Sequence, residues 1–538
     1  MQRRIFGSLL PRPAGQALAR VRRASTVRIR THDGHHLATD VHRPGTDAPV
    51  PTVLIRTSYG RNGLTGIPMV AQAKALAALG YAVVLQDVRG RFDSTGEFVP
   101  MVNEVADARA TIDWITDQPW SDGTIGAWGL SYLGGTAWAA AVAAPDRVRA
   151  LSVGITHSAV GLPETTGLVY VDTGLRWLRS LDAMARLDDS AARRLANLVR
   201  FRLPGASDDE AFSHLPLLEL DERVLGSPSP IWRTWAEHPD ANDPFWQPGN
   251  LSAAVTGVAP TSHLTGWWDL FVDRHLDDVD RQSSAGRVDR LVVGPWGHLD
   301  GAVQVRAFAE MRRHFDRHLR GIDRAGPAVE LWIAGAERWW TGDRWPATTT
   351  RTIPFDDLRS PTDRLVFDPS SPTPKAGGRI LSVDAGPVDC TDLAARDDVV
   401  TLTGPPLPHP LVVVGRPTVT VDLLADTGHT DLWIRLAEVD VSGRARSISD
   451  GFLRLRDLRG RHTATVELHP VGHQLRAGNR LRVHVAGGAF PHHDRNLGLD
   501  GDRLHLTDHR PTTVRIHDGR LELPVHVPDD GWIAATGP

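Results

Sequence analysis

The sequence has a single cysteine, Cys390, among its 538 residues, so it can form neither an intrachain disulfide nor a cysteine-based metal cluster. Lysine is almost absent, and arginine supplies nearly all of the positive charge. The formal net charge of -4 at pH 7 gives no basic surface of the kind that binds nucleic acids or anionic membranes. No run of about 18 apolar residues occurs, which excludes a membrane-spanning helix.

The amino terminus is rich in arginine and has no acidic residue over its first 32 positions, where eight arginines occur. Its apolar piece, residues 5–10, is ended by Pro11 and is too short for the apolar segment of a secretory signal. The composition is also a weak match to a mitochondrial transit sequence. We expect residues 1–30 to be a disordered extension and the protein to be cytoplasmic, in agreement with its single cysteine.

The length of the chain exceeds what a single hydrophobic core supports, so several domains are expected. Within residues 31–157, short β-branched runs such as 51–57 and 81–85 alternate with helical patterns such as 69–79 and 103–116. This alternation is typical of a parallel sheet covered by helices on both faces. The sequence therefore predicts an α/β fold with a doubly wound sheet in this region.

Two changes of pattern divide the rest of the chain. Residues 158–250 are rich in Leu, Ala, Arg and Trp at helical spacing, which predicts a helical cap over the carboxyl edge of the sheet. Residues 251–325 return to the α/β pattern. Residues 326–538 contain alternating strands between Gly, Pro, Asp and Asn turns, which predict an all-β jelly roll. We expect this last domain to support the α/β domain rather than to bind carbohydrate.

Residues 129–134 read Gly-Leu-Ser-Tyr-Leu-Gly and lie between a strand pattern and an alanine-rich helical pattern. A serine on a sharp strand-to-helix turn needs glycine neighbours, and the turn presents its hydroxyl at the carboxyl edge of the sheet. Ser131 is therefore a candidate nucleophile. The glycine-rich helix entry of a dinucleotide-binding unit is the alternative interpretation of this segment.

A nucleophilic serine needs a histidine as its base and a carboxylate that orients the histidine. In doubly wound hydrolases these residues follow in the order serine, acid, histidine, each after a strand. Asp269 follows the strand pattern that begins near residue 257, and His298 follows the next strand pattern, at residues 290–294. We therefore predict a catalytic set of Ser131, Asp269 and His298.

Other residues compete for the roles of acid and base. Asp273 lies one helical turn beyond Asp269 and ranks second as the acid. His157 also follows a strand pattern, but it precedes every candidate acid in the expected order. His263 lies within a strand pattern, where a packed histidine that donates to a backbone carbonyl is the more common case.

The three blocks that carry Ser131, Asp269 and His298 resemble those of the cocaine esterase and Xaa-Pro dipeptidyl-peptidase family of α/β-hydrolases, the CocE/NonD hydrolases. Further blocks in the family's order are residues 87–91, 315–321, 451–456 and 477–482. The resemblance runs from about residue 30 to the end of the chain. It implies an α/β-hydrolase domain with a helical cap and a carboxyl-terminal jelly roll of the galactose-binding type.

The same resemblance implies an oxyanion hole. Residues 59–61, Tyr-Gly-Arg, are similar to the family loop whose tyrosine hydroxyl is one donor, although Ser58 replaces the usual proline. Tyr59 is therefore the first expected donor. The backbone N–H of Tyr132, the residue after the nucleophile, is the second.

The family cleaves esters, α-amino acid esters, amides or Xaa-Pro peptides, which implies a small-molecule acyl ester or amide substrate and neither a metal nor an organic cofactor. We expect an ester hydrolase, with a dipeptidyl-peptidase, an α-amino acid ester hydrolase or an amide acylase as the alternative. An inactive binding protein is a further alternative, which the intact set of candidate residues disfavours. Neither nucleic acid nor membrane is expected as a partner, and a homo-oligomer stays open.

Overall fold

The computed structural model of the protein describes residues 20–159, 170–185, 210–240, 242–324 and 326–526. Its strands are β1 (Ser25–Arg30), β2 (His36–His42), β3 (Val50–Thr57), β4 (Ala82–Asp87), β5 (Ser121–Leu130), β6 (Val148–Gly154), β7 (Thr261–Trp268), β8 (Val288–Gly297), β9 (Val329–Ile333), β10 (Arg338–Gly342), β11 (Thr348–Pro354), β12 (Arg364–Phe367), β13 (Val399–Pro406), β14 (Leu411–Gly415), β15 (Thr418–Ala425), β16 (Thr430–Val439), β17 (Ala445–Leu455), β18 (His462–Glu467), β19 (Val471–Leu475), β20 (Arg480–Ala486) and β21 (Thr512–His526).

The described helices are α1 (Gly63–Ala78), α2 (Glu104–Thr116), α3 (Tyr132–Ala143), α4 (Val171–Ala185), α5 (Leu220–Leu225), α6 (Pro230–Glu237), α7 (Val272–Ser284) and α8 (Gly301–Arg320). Short 3-10 turns occur at Leu217–Glu219, Pro244–Gly249, Val255–Gly257, Phe355–Asp357 and Thr391–Ala395. Among the helices of these ranges, none is both long and apolar enough to span a membrane.

The first domain is built on a 10-stranded sheet in the order β1-β2-β4-β3-β5-β6-β7-β8-β9-β10. Its strands from β4 to β9 in this order run parallel, while β1, β2 and β10 pair antiparallel at the two edges. Helices α2 and α3 pack on one face and α1 and α8 on the other. Strands buried on both faces read as continuous apolar runs, which is why the sequence predicts them well.

Two boundaries of this sheet differ from the sequence prediction. Strand β1 lies inside the segment 1–30 that we expected to be disordered, and it pairs with β2 over six residues. Exposed arginines alternate there with Val27 and the buried Ile29, so the arginine-rich composition conceals a strand pattern. Residues 1–19 lie outside the described ranges. At the other end the sheet continues past residue 325 into β9 and β10.

The predicted cap is helical in its described part, which comprises α4, α5 and α6. Their apolar faces meet in one cluster that includes Leu175, Leu178 and Trp232, and Phe490 of the carboxyl-terminal domain packs against it. The carboxyl-terminal domain therefore contacts the cap and supports it through this cluster. The remainder of the predicted cap, residues 160–169, 186–209 and 241, lies outside the described ranges.

The carboxyl-terminal domain is a β-sandwich. One sheet has 7 strands: five follow the order β18-β15-β21-β14-β19, and β11 and β12 also pair with β21. The other sheet has 4 strands in the order β13-β20-β16-β17. Alternate residues of both sheets point inward and form a common apolar core. The predicted all-β domain is confirmed.

Candidate functional site

Ser131 lies on the sharp turn between β5 and α3, with backbone angles φ 55 and ψ -128. A non-glycine residue with positive φ is strained, and here its backbone is tied to β6 because the Ser131 N–H donates to the Gly154 carbonyl at 3.0 Å. Glycine is required two residues earlier, since a Cβ on Gly129 would collide with the Leu133 backbone. A Cβ on Gly134 would lie 2.7 Å from the Thr156 Cβ. The turn therefore holds the Ser131 hydroxyl at the carboxyl edge of the sheet.

His298 and Asp269 meet Ser131 at this edge. The His298 Nε2 lies 2.9 Å from the Ser131 Oγ, and its Nδ1 lies 2.6 Å from the Asp269 Oδ2. Asp269 is fully buried, and its Oδ1 accepts the backbone N–H of Phe271 at 2.8 Å. The carboxylate thus holds the ring, and the ring presents one nitrogen to the hydroxyl.

The sheet topology explains how residues so distant in sequence come together. Ser131 follows β5, Asp269 follows β7 and His298 follows β8, and these strands lie side by side with only β6 between β5 and β7. Because the strands are parallel, their carboxyl ends meet at one edge, where ligands bind in open α/β sheets.

The competing residues lie in other environments. The Asp273 carboxylate accepts the Nδ1–H of His469, a residue of the β-sandwich, at 2.7 Å. His157 accepts the backbone N–H of Ala159 through its Nδ1, and burial holds its pKa well below the ordinary value. His263 is buried as expected, but its ring nitrogens contact the side chains of His275 and Gln282 rather than a backbone carbonyl.

Tyr59 brings its hydroxyl to Ser131 from the loop after β3. The phenol interacts with the Ser131 side chain and also accepts the Nε1–H of Trp177 at 3.1 Å. Burial raises its pKa above the ordinary tyrosine value, so the hydroxyl keeps its proton at neutral pH. Since Trp177 supplies a donor to the oxygen, the Tyr59 proton is available to another acceptor.

Tyr132 is the first residue of α3, so its backbone N–H has no acceptor within the helix and points from the positive end of the helix dipole. Its side chain serves as an anchor. The hydroxyl donates to the Glu104 Oε1 at 2.8 Å and accepts the Met101 N–H at 3.3 Å, which fixes the first turn of α3 beside Ser131.

Two aromatic neighbours of the site were missed by the sequence analysis. The Trp177 ring, from the cap helix α4, stacks on Tyr132 with 6.1 Å between centroids. Phe271 places its ring perpendicular to His298 at 5.3 Å. Phe271 has a local signal in the sequence, because it lies two positions after Asp269, whose carboxylate accepts the Phe271 N–H. No local pattern links Trp177 to Tyr132, 45 positions earlier, or to Tyr59, 118 positions earlier.

Groups of side chains with the geometry of metal ligands lie elsewhere in the described residues. One group is Asp289, His314 and His318, and the other is the more exposed set of His429, Asp457 and Asp500. Neither includes a residue of the Ser131 site.

Comparison with known proteins places both halves of the chain in one family. Residues 33–300 match the family described as X-Pro dipeptidyl-peptidase (S15 family), and residues 321–521 match the X-Pro dipeptidyl-peptidase C-terminal non-catalytic domain. Over 565 aligned residues the chain is 31% identical to the cocaine esterase of Rhodococcus sp. (strain MB1 Bresler). That alignment covers 94% of this chain and 97% of the esterase.

Two solved structures share the fold. An aminopeptidase from the marine sediment archaeon Thaumarchaeota archaeon has a TM-score of 0.76 at 20% identity, and an α-amino acid ester hydrolase has a TM-score of 0.75 at 21% identity. Each superposition covers 96% of this chain and 98% of the other. The predicted α/β-hydrolase fold with its additional β domain is confirmed.

Proposed function

Because this chain belongs to the X-Pro dipeptidyl-peptidase (S15) family and is a serine hydrolase, we propose that it hydrolyses small acyl esters with Ser131 as its nucleophile. The observation that carries the proposal is the continuous hydrogen-bonded row from Ser131 Oγ through His298 to Asp269. A serine hydroxyl becomes an effective nucleophile only when a positioned base takes its proton.

In the proposed mechanism, His298 Nε2 takes the proton of Ser131 as its Oγ attacks the acyl carbonyl. The buried Asp269 stabilises the imidazolium that forms and keeps the Nδ1 proton on its own side of the ring. The new C–O bond leaves a negative charge on the former carbonyl oxygen. The alcohol then departs with the proton from His298, and an acyl-enzyme remains.

The Tyr59 hydroxyl and the Tyr132 N–H are the proposed donors to that oxyanion. Both are held before substrate binds, Tyr59 by Trp177 and Tyr132 by Glu104, so little reorganisation is needed at the transition state. A preorganised donor of this kind contributes about 3 kcal/mol. Water then attacks the acyl-enzyme with His298 again as the base, and no metal or organic cofactor takes part.

An ester is the preferred substrate in this proposal because the cocaine esterase is similar over nearly the whole chain. Peptide hydrolysis by a dipeptidyl-peptidase also needs an anchor for a free amino terminus. Asp172 of the cap, a carboxylate that could have served, is instead buried against His492 of the β-sandwich at 3.1 Å. Two other acidic residues of the predicted cap are candidates for the same role: Asp182 lies on α4, and Glu164 lies outside the described residues. Peptidase and amide acylase activities remain the alternative.

The test is a turnover panel of p-nitrophenyl esters, α-amino acid esters and Xaa-Pro anilides, measured with the wild type and Ser131→Ala. We expect kcat/KM for short acyl or aryl esters to exceed that for Xaa-Pro anilides by at least about 100-fold, because an amide nitrogen must be positioned and protonated as it leaves. Comparable values would favour the peptidase. Ester turnover that survives in folded Ser131→Ala would contradict the assignment of the nucleophile.

A further inference from the structure

Three potential metal ligands converge at the amino-terminal start of β8, away from the Ser131 site. Asp289 is the second residue of β8, and His314 and His318 lie one turn apart on the face of α8 that contacts it. The His314 Nδ1 lies 2.9 Å from the Asp289 Oδ2, and the His318 Nε2 lies 3.3 Å from the Asp289 Oδ1. All three potential ligand atoms lie within 4.8 Å of one another.

The orientation of His314 suits a metal ligand. Its Nε2 lies 2.9 Å from the carbonyl oxygen of Pro260, so this nitrogen carries the proton that the carbonyl accepts. A neutral ring then has its lone pair on Nδ1, which faces the carboxylate of Asp289. Two acceptors directed at each other repel, and a cation between them would remove the repulsion. An N–H donated to a backbone carbonyl is also the usual outer support of a metal-bound histidine.

His318 offers a second nitrogen to the same point. Its Nε2 is buried and makes no well-formed hydrogen bond within the described part of the chain. Histidines at positions i and i+4 of one helix face are a common pair of ligands for Zn²⁺. The side chains of His318 and Asp289 are 22% and 15% exposed, which leaves a path to solvent for the ion and for a further water ligand.

We propose that Asp289, His314 and His318 form a structural binding site for a transition-metal ion, with Zn²⁺ as the best match. Bonds of roughly 2.0–2.2 Å to two imidazoles and a carboxylate place tetrahedral ligand atoms about 3.3 Å apart. The distances from the two Asp289 oxygens to the His314 Nδ1 and the His318 Nε2, 2.9 and 3.3 Å, are close to this value. Arg317 donates to the Asp289 Oδ1 at 2.9 Å and so holds the carboxylate from outside the site. The ion would join α8 to the start of β8.

The site is structural because it lies far from Ser131. Asp289 is near the first residue of β8 and His298 directly follows the last, so about nine residues of extended chain, or roughly 30 Å, separate them. Metal binding should therefore change the stability of the folded chain without changing ester turnover at saturating substrate.

The test uses the full chain, stripped with a chelator and then dialysed against ZnCl2. We expect His318→Asn and Asp289→Asn each to bind one Zn²⁺ fewer than the wild type. Zn²⁺ should raise the Tm of the wild type by several degrees and leave the Tm of both variants unchanged. Circular dichroism checks that the variants fold. Co²⁺ in place of Zn²⁺ should give the visible bands of a four-coordinate site in the wild type but in neither His318→Asn nor Asp289→Asn.

His429→Asn is the matched control, because it removes a histidine from the exposed set of His429, Asp457 and Asp500. The control should keep both the Zn²⁺ of the proposed site and the rise in Tm. Wild-type levels of bound Zn²⁺ in folded His318→Asn and Asp289→Asn would overturn the proposal. Loss of the bound ion in His429→Asn alone would assign the binding to the exposed set and would also overturn it.

Discussion

Replacement of Asp269 by asparagine should stop turnover while it leaves the fold intact. Asparagine has the same shape, and its side-chain oxygen will stay with the Phe271 N–H, which the Asp269 Oδ1 accepts at 2.8 Å. The amide NH2 then faces the His298 Nδ1, where the carboxylate Oδ2 was 2.6 Å away. A donor at this position moves the ring proton to Nε2. His298 would then donate to Ser131 and could no longer take its proton.

The loss can be estimated from this change of tautomer. An asparagine at the acid position of a serine triad lowers kcat by about 10⁴, which corresponds to roughly 5.5 kcal/mol of transition-state stabilisation. KM should change little, because Asp269 is fully buried behind His298 and does not reach substrate. The assay is kcat for the best p-nitrophenyl ester at neutral pH.

Asp273→Asn is the control, since Asp273 lies four residues after Asp269, in the first turn of α7, but faces the β-sandwich. Its carboxylate contacts His469 at 2.7 Å and Arg379 at 3.9 Å, so the substitution weakens a contact between domains by about 1–3 kcal/mol. We expect a lower urea midpoint with nearly normal kcat. A kcat for Asp269→Asn within tenfold of the wild type, or a crippled but folded Asp273→Asn, would refute the reasoning.

The remaining predictions concern the oxyanion hole, the turn and pH. Tyr59→Phe should lower kcat about 10²-fold through the loss of one oxyanion donor. Trp177→Phe should lower kcat several-fold in the wild-type background but change it little in the Tyr59→Phe background. A double-mutant cycle in kcat measures this difference. Gly134→Ala should lower Tm by several degrees, because its Cβ would lie 2.7 Å from the Thr156 Cβ; an unchanged Tm would show that the turn adapts. Burial raises the pKa of Asp278 to about 6, from 3.8. The stability that the protonated Asp278 contributes is therefore present below about pH 4 and is lost as the pH rises through 6. The free energy of unfolding of Asp278→Asn, measured in urea, should therefore rise relative to that of the wild type between pH 4.5 and 8. A difference that stays constant over this range would contradict the prediction.

The sequence predicts well those features that a short segment encodes by itself. The glycine at position 129 reflects a close approach to the backbone of Leu133, four residues further along the chain, and the strand before His298 contains the short apolar run that a parallel sheet requires. Chain order and the family resemblance then narrowed 24 histidines to one candidate base. The structure brings that histidine to 2.9 Å from Ser131.

Features that depend on distant contacts could not be predicted in the same way. The Trp177 N–H reaches the Tyr59 oxygen across 118 positions, and His469 reaches Asp273 across 196. Neither pair produces a periodic pattern in the sequence, because each contact exists only once the cap or the β-sandwich has packed against the α/β domain. Strand β1 was missed for another reason, since its exposed positions carry arginine and the composition suggested an unstructured leader.

Peptide mapping after reaction with a fluorophosphonate tests the central claim most directly. The reagent forms a stable bond only with a serine that a neighbouring base activates, so its position reports the nucleophile independently of the substrate. We predict one adduct per chain, on Ser131, that forms at least about 10³-fold more slowly in His298→Ala. An adduct on another serine, or labelling of Ser131 at an undiminished rate in folded His298→Ala, would contradict the account.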